Sequence, residues 1–93
     1  MYERILESFR DRIRSLDYII TLHAEEEMDD ADLSVFDLES AVLTGEITER
    51  QRDLLTREWK YVVNGKALDG ASVGVVGKLS LTGRLVIITV YRG

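Results

Sequence analysis

Residues 59–91 read WKYVVNGKALDGASVGVVGKLSLTGRLVIITVY. Trp59, Tyr61 and Val63 alternate there with Glu58, Lys60 and Val62, the period of two that a strand imposes on its side chains. Asp69-Gly70 has the residues a hairpin turn needs, and Val73, Val75, Val76 and Leu79 supply the returning strand. Thr82-Gly83 turns the chain again into Leu85–Tyr91, whose nearly unbroken β-branched and aliphatic run predicts a strand buried on both faces, in the middle of a sheet. The polar stretch Glu46–Thr56 just before this block has room for one strand more.

Upstream the period is helical. Tyr2, Ile5, Leu6, Phe9, Ile13 and Leu16 recur at spacings of three and four, one apolar stripe of an amphipathic helix with Arg4, Arg10, Arg12 and Arg14 on its other face. Tyr18-Ile19-Ile20-Thr21-Leu22 is β-branched and aromatic but short, and reads either as a strand or as an extended lead into the next helix. From His23 a short helix carries Ala24 and Met28 on one side and acids on the other. Ser34 followed by Asp37 resembles an N-cap, Val35, Leu38, Ala41 and Val42 share a face behind it, and Gly45 is the natural stop. The expectation is therefore a single α+β domain over residues 1–93, with helices first and then an antiparallel sheet of three or four strands.

Composition narrows the function classes. The 93 residues hold no cysteine, which removes disulfides, thiol nucleophiles and cysteine-based zinc sites together and favours a cytoplasmic home. No apolar run approaches a membrane span, and no Gly-rich phosphate loop, nucleophile elbow or HExxH zinc pair occurs. The net charge of −5 conceals two unlike halves. Residues 1–49 hold fourteen acids against four arginines, a net −10, whereas residues 50–93 hold three acids against eight bases, a net +5. A pI near 4.8 argues against nonspecific nucleic-acid binding by the whole molecule, yet a basic half can still hold a phosphate locally, because charges screen over about 8 Å.

Several stretches occur together in order: Ile19-Ile20-Thr21-Leu22-His23-Ala24 with Glu26, Glu27 and Met28; Ser34 with Asp37; Ala41–Ile47; Glu49–Asp53 with Thr56–Tyr61; and Val86–Tyr91. In that order the chain resembles, over roughly residues 17–91, the bacterial and cyanobacterial branch of the family catalogued as domain of unknown function 4258. The resemblance implies a RelE-like toxin type: a fold of helices followed by an antiparallel sheet, an mRNA interferase activity or a degenerate form of it, and a small zinc-finger antitoxin as partner. Where many members carry a basic residue or glycine before the serine, this chain has Ala31-Asp32, which makes the helical half more acidic.

Metal-independent cleavage of RNA needs the 2′-hydroxyl deprotonated, charge on the pentavalent phosphorus stabilised and the leaving oxygen protonated. The candidate catalytic residues are His23, Arg52, Lys60 and Tyr91, with Arg50, Arg57, Lys78 and Arg84 as RNA-binding residues. His23 is the one histidine and the expected general acid or base, or else it caps the helix or hydrogen-bonds Glu26 or Glu27 as structural glue. Arg50, Arg52, Arg57 and Lys60 form the densest basic cluster, with Trp59 and Tyr61 interleaved. In an extended chain Arg50 and Arg52 share a face, as do Trp59 and Tyr61, with Lys60 opposite. Guanidinium forks suit phosphate and an exposed aromatic stacks on a base, whereas in the competing reading the aromatics are core and the arginines pair with Glu49, Asp53 and Glu58.

The acids Glu25, Glu26, Glu27 and Asp29, continued by Asp30 and Asp32, lack the alternation and glycine of a calcium loop. They suit a docking surface for a basic partner, which makes a non-catalytic protein-interaction module the alternative function. Neither cofactor nor metal is expected, and a homodimer through the first helix or an edge strand is compatible with the pattern.

Overall fold

The apolar stripe of the first segment folds as helix α1, Glu3–Arg14, and buries Leu6, Phe9 and Ile13. A computed structural model describes residues 1–93, in which α1 is followed by β1 (Tyr18–Ile20), α2 (Leu22–Asp30), α3 (Val35–Thr44), β2 (Glu46–Arg52), β3 (Trp59–Lys66), β4 (Ser72–Leu79) and β5 (Leu85–Arg92). Leu16, expected on the buried stripe, lies beyond the helix end at φ 58° and is exposed. Arg10 and Arg12 also depart from a purely solvated face. Arg10 Nη2 donates to the Gly45 carbonyl at 2.9 Å and Arg12 Nε to that of Gly83 at 2.7 Å, so two arginines tie α1 to the ends of other elements.

The strands form one five-stranded sheet in the order β1-β5-β4-β3-β2. It is mixed: β1 runs parallel to β5 and every other pair is antiparallel. This corrects the expected three or four antiparallel strands. The extra strand comes from the ambiguous segment, which divides its residues between two elements. Tyr18–Ile20 takes the β form its branched side chains favour, and Thr21 then caps α2, its Oγ1 accepting from Ala24 N at 3.1 Å. The polar stretch supplies β2. β5 is interior but not central. A bulge at Ile88 interrupts its pairing with β4, and Val86, Ile88 and Thr89 are only half-buried, so its second face is less covered than the run of apolar residues suggested.

All three helices pack on one face of the sheet. Phe9 and Ile13 of α1, Ala24 and Met28 of α2, and Leu38, Ala41 and Val42 of α3 form a single core with Val63, Val73, Val75, Leu85, Ile87 and Val90. Gly65 permits the close seating of α3 on β3, since a Cβ there would run into the Ala41 carbonyl. α3 itself carries the predicted Ser34–Asp37 capping box. Opposite, Val62 and Val76 face each other across β3 and β4, buried yet outside that core, on a sheet face no helix covers. No helix is long and apolar enough to cross a membrane.

Candidate functional site

The β2–β3 ribbon decides where the basic residues go. Tyr61 faces the helices, its ring 6.0 Å from that of Phe9 and 5.9 Å from that of Tyr2, and Trp59 shares its parity. Arg50 is paired with Tyr61 and Arg52 with Trp59, and directly opposed residues of an antiparallel pair point to the same side. The four side chains therefore lie together where the sheet extends past the start of α1. The one register shift in this ribbon falls between Ile47 and Glu49, upstream of the arginines, so the parity anticipated for Arg50, Arg52, Trp59 and Tyr61 holds, with Lys60 on the far side.

Trp59 is 38% exposed. The Arg50 guanidinium lies 3.9 Å from its ring centroid and that of Arg52 4.8 Å, a doubled cation–π contact. Neither arginine takes part in a salt bridge. The acids that the competing reading assigned to them are engaged elsewhere: Glu49 accepts from Gln51 Nε2 at 2.9 Å, Asp53 from backbone amides, and Glu58 from Lys78 at 3.3 Å. Beside the platform a concavity of about 460 Å³ is lined by Tyr2, Arg4, Ile5, Arg50 and Tyr61 among others. Tyr2 and Arg4 escaped the sequence reading because Tyr2 fitted the core stripe of α1 and nothing local marks its approach to Tyr61 some sixty residues on.

The connection from β2 to β3 is a built turn. Asp53 Oδ1 accepts from Leu55 N at 2.9 Å and Thr56 N at 3.1 Å, and its main chain closes the loop through Arg57 N and the Glu58 carbonyl. Those two amide donors, with the charges of Lys60 and Lys78 adding to them, hold the Asp53 carboxyl below its ordinary range. Arg57 sits in this loop at φ 63°, exposed.

The remaining candidates are dispersed. Lys60, Lys78 and Tyr91 share the uncovered sheet face, but Tyr91 is paired with Gly74 and lays its ring over it, four residues along β4 from Lys78, or about 13 Å. Arg84 Nε is held by Asp17 at 3.1 Å. His23 opens α2 next to β1, and the sheet order puts four strand spacings, about 19 Å, between β1 and β2. His23 and Arg52 therefore do not converge on one centre.

At the β1 edge the polar groups serve the fold. His23 Nε2 lies 3.3 Å from Glu27 Oε1, and the same oxygen accepts from Val90 N at 3.1 Å, satisfying a β5 amide beyond the end of β1. The Tyr18 hydroxyl donates to Glu39 Oε2 at 2.6 Å, and burial together with that carboxylate pushes the phenol above its ordinary range. Asp37 accepts from Ser34 N and Leu68 N, which lower its carboxyl and stitch α3 to the β3–β4 loop. Of the docking acids, Glu25, Glu26 and Asp29 are exposed, whereas Glu27 is half-buried in its structural role. No three of the histidine and acid side chains are grouped to hold a metal ion. Phe36, Leu43 and Leu68 form an exposed apolar patch on the outer side of α3. The i, i+7 spacing of Phe36 and Leu43, opposite the buried stripe of that helix, was the available signal for it.

The chain belongs to the family described as "Domain of unknown function (DUF4258)", whose family model matches residues 20–92. No curated protein and no solved structure matches the chain.

Proposed function

We propose that the protein acts on RNA, as a RelE-like toxin-type domain, and engages unpaired nucleotides at the β2–β3 edge. The observation that supports this reading is the Arg50–Trp59–Arg52 platform, an exposed indole under two guanidinium groups that no carboxylate neutralises. Stacking on such a ring is sequence-tolerant and contributes about 1–3 kcal/mol per base, and the guanidinium N–H groups suit the flanking phosphates. In a metal-independent endoribonuclease the same arginines would carry the extra charge on the pentavalent phosphorus. The platform contains no histidine to act as base, and binding is therefore the core of the proposal, with cleavage its second step.

Trp59 is the only tryptophan, so its fluorescence reports on the site alone. Titration with a short single-stranded RNA is expected to quench it in a salt-dependent way, and the quench is expected to weaken at least tenfold in an Arg50→Ala, Arg52→Ala variant. An emission indifferent to RNA would overturn the reading. Cleavage is tested by inducible expression in a bacterial host with mapping of new 5′ ends: growth arrest with discrete sites that Arg52→Ala abolishes supports the nuclease step, and an unchanged transcript map removes it.

A second reading, a protein-interaction module, is favoured by one observation, the exposed Phe36, Leu43 and Leu68 on α3. In the toxin reading a zinc-finger antitoxin would be the partner, docked on the exposed Glu25, Glu26 and Asp29.

A further inference from the structure

The tip of the β2–β3 hairpin carries two leucines in full solvent. Leu54 is 92% and Leu55 94% exposed, although residues of this type usually find cover in a domain of this size. They are not a loose end. Asp53 fixes the turn by accepting from the amides of Leu55 and Thr56, while Asp53 N donates to the Glu58 carbonyl at 2.9 Å and Arg57 N to the Asp53 carbonyl at 2.8 Å. These bonds close the backbone on both sides of the turn, and both leucine side chains point into solvent. Asp53 and Thr56 adjoin them, Arg52 and Arg57 stand one residue further out, and the Trp59 platform lies on the strand pairs directly beneath the turn.

We infer that the Leu54–Leu55 tip is a wedge that enters an unstacked step in RNA, so that the ligand is a paired stem interrupted by a bulge or mismatch. The inference rests on the RNA reading of the Trp59 platform and specifies its substrate. Apolar side chains on a backbone-closed turn, with Asp53 and Thr56 beside them and Arg52 and Arg57 one residue further out, match an opened base step, where the bases supply apolar faces and the arginines reach the phosphates on either side. An anionic membrane fits the tip less well, because a flat surface meets a broad front of a molecule whose net charge is −5, while a projecting hairpin reaches a local site on RNA with its own arginines. Two leucines also give a shallow hold on lipid compared with an amphipathic helix.

The test compares three RNAs: a single strand, a continuous duplex, and the same duplex with one bulged nucleotide next to a 2-aminopurine, which brightens when it unstacks. The native protein is expected to brighten the probe and to bind the bulged duplex about tenfold more tightly than the continuous one, since the unstacking cost is already met at the bulge. Leu54→Ser, Leu55→Ser is expected to abolish both effects while single-strand binding, read by Trp59 quenching, stays within twofold. Both leucines are fully exposed, so this variant keeps its fold, which circular dichroism verifies. Single-strand binding without any preference for the bulge would overturn the wedge alone. Loss of all RNA binding in the native protein would remove wedge and platform together. Co-sedimentation with phosphatidylserine vesicles that needs the leucines, beside an unaltered bulge preference in the variant, would reassign the tip to lipid.

Discussion

The two edges of the sheet are built from similar residue types and use them differently. At the β1 edge the basic and aromatic groups are engaged within the molecule, while Glu25, Glu26 and Asp29 stay exposed: His23 with Glu27, Glu27 with the Val90 amide, Tyr18 with Glu39, Arg84 with Asp17, and Arg92 Nε with the Ala31 carbonyl at 2.9 Å. β1 is only three residues long, and side chains from the helices and turns complete what a longer strand would have supplied by its backbone. At the β2 edge a seven-residue strand carries Arg50 and Arg52 against an indole, and its own acid Glu49 bonds Gln51 rather than either arginine. A charge with a structural partner stabilises the fold, and a charge without one is available to a ligand. That contrast, more than the bare +5 of the C-terminal half, places the candidate site at β2.

Four substitutions probe the contrast, in decreasing order of expected effect. Trp59→Ala should weaken single-stranded RNA binding by roughly ten- to a hundredfold, the stacking contribution of one base, with a small change in stability, since the ring is more than a third exposed. Fluorescence anisotropy of a labelled RNA beside urea denaturation separates the two. Glu27→Ala should do the reverse: it leaves the Val90 amide without its acceptor and should cost about 1–3 kcal/mol of stability by denaturation, while RNA affinity is unchanged. A parallel fall in RNA affinity would break the division between the edges.

Asp37→Asn should flatten the acid limb of stability. The Asp37 carboxyl is lowered in the folded chain, so its contribution is fully present above the ordinary aspartate value near 3.9 and is lost as pH falls below that through the folded value. Thermal melts from pH 5 downward should therefore fall less steeply in the variant. His23→Ala should do least. His23 is the exposed member of its pair with Glu27, so its loss costs at most about 0.5–1 kcal/mol, and the proposed RNA binding should survive it. Loss of cleavage in this variant would instead assign His23 to chemistry and return the site to the β1 edge.

Much of the fold was legible because local signals agreed with the final packing. The α1 stripe, the Ser34–Asp37 cap and the period of two in β3 each needed only neighbours in sequence. β1 was not decided, because Tyr18–Leu22 contains both a strand and the start of a helix, and the strand exists only through its parallel partner β5, more than sixty residues away. The shared face of Arg50 and Arg52, and Lys60 opposite Trp59 and Tyr61, followed from parity once each segment was extended, whereas the arginine–indole pairing depends on the β2–β3 register, which the turn between them sets. The dispersal of His23, Tyr91 and Arg84 did not, since it depends on strand order, which spacing along a chain does not encode.

The most direct test of the account is a titration of isotope-labelled protein with a short single-stranded RNA, followed by amide and indole NMR shifts. The account predicts that the largest changes fall on the Trp59 indole and on Arg50, Arg52 and Tyr61, with His23 and α2 unmoved. Shifts centred on His23, Glu25 and Glu26, with Trp59 silent, would contradict it.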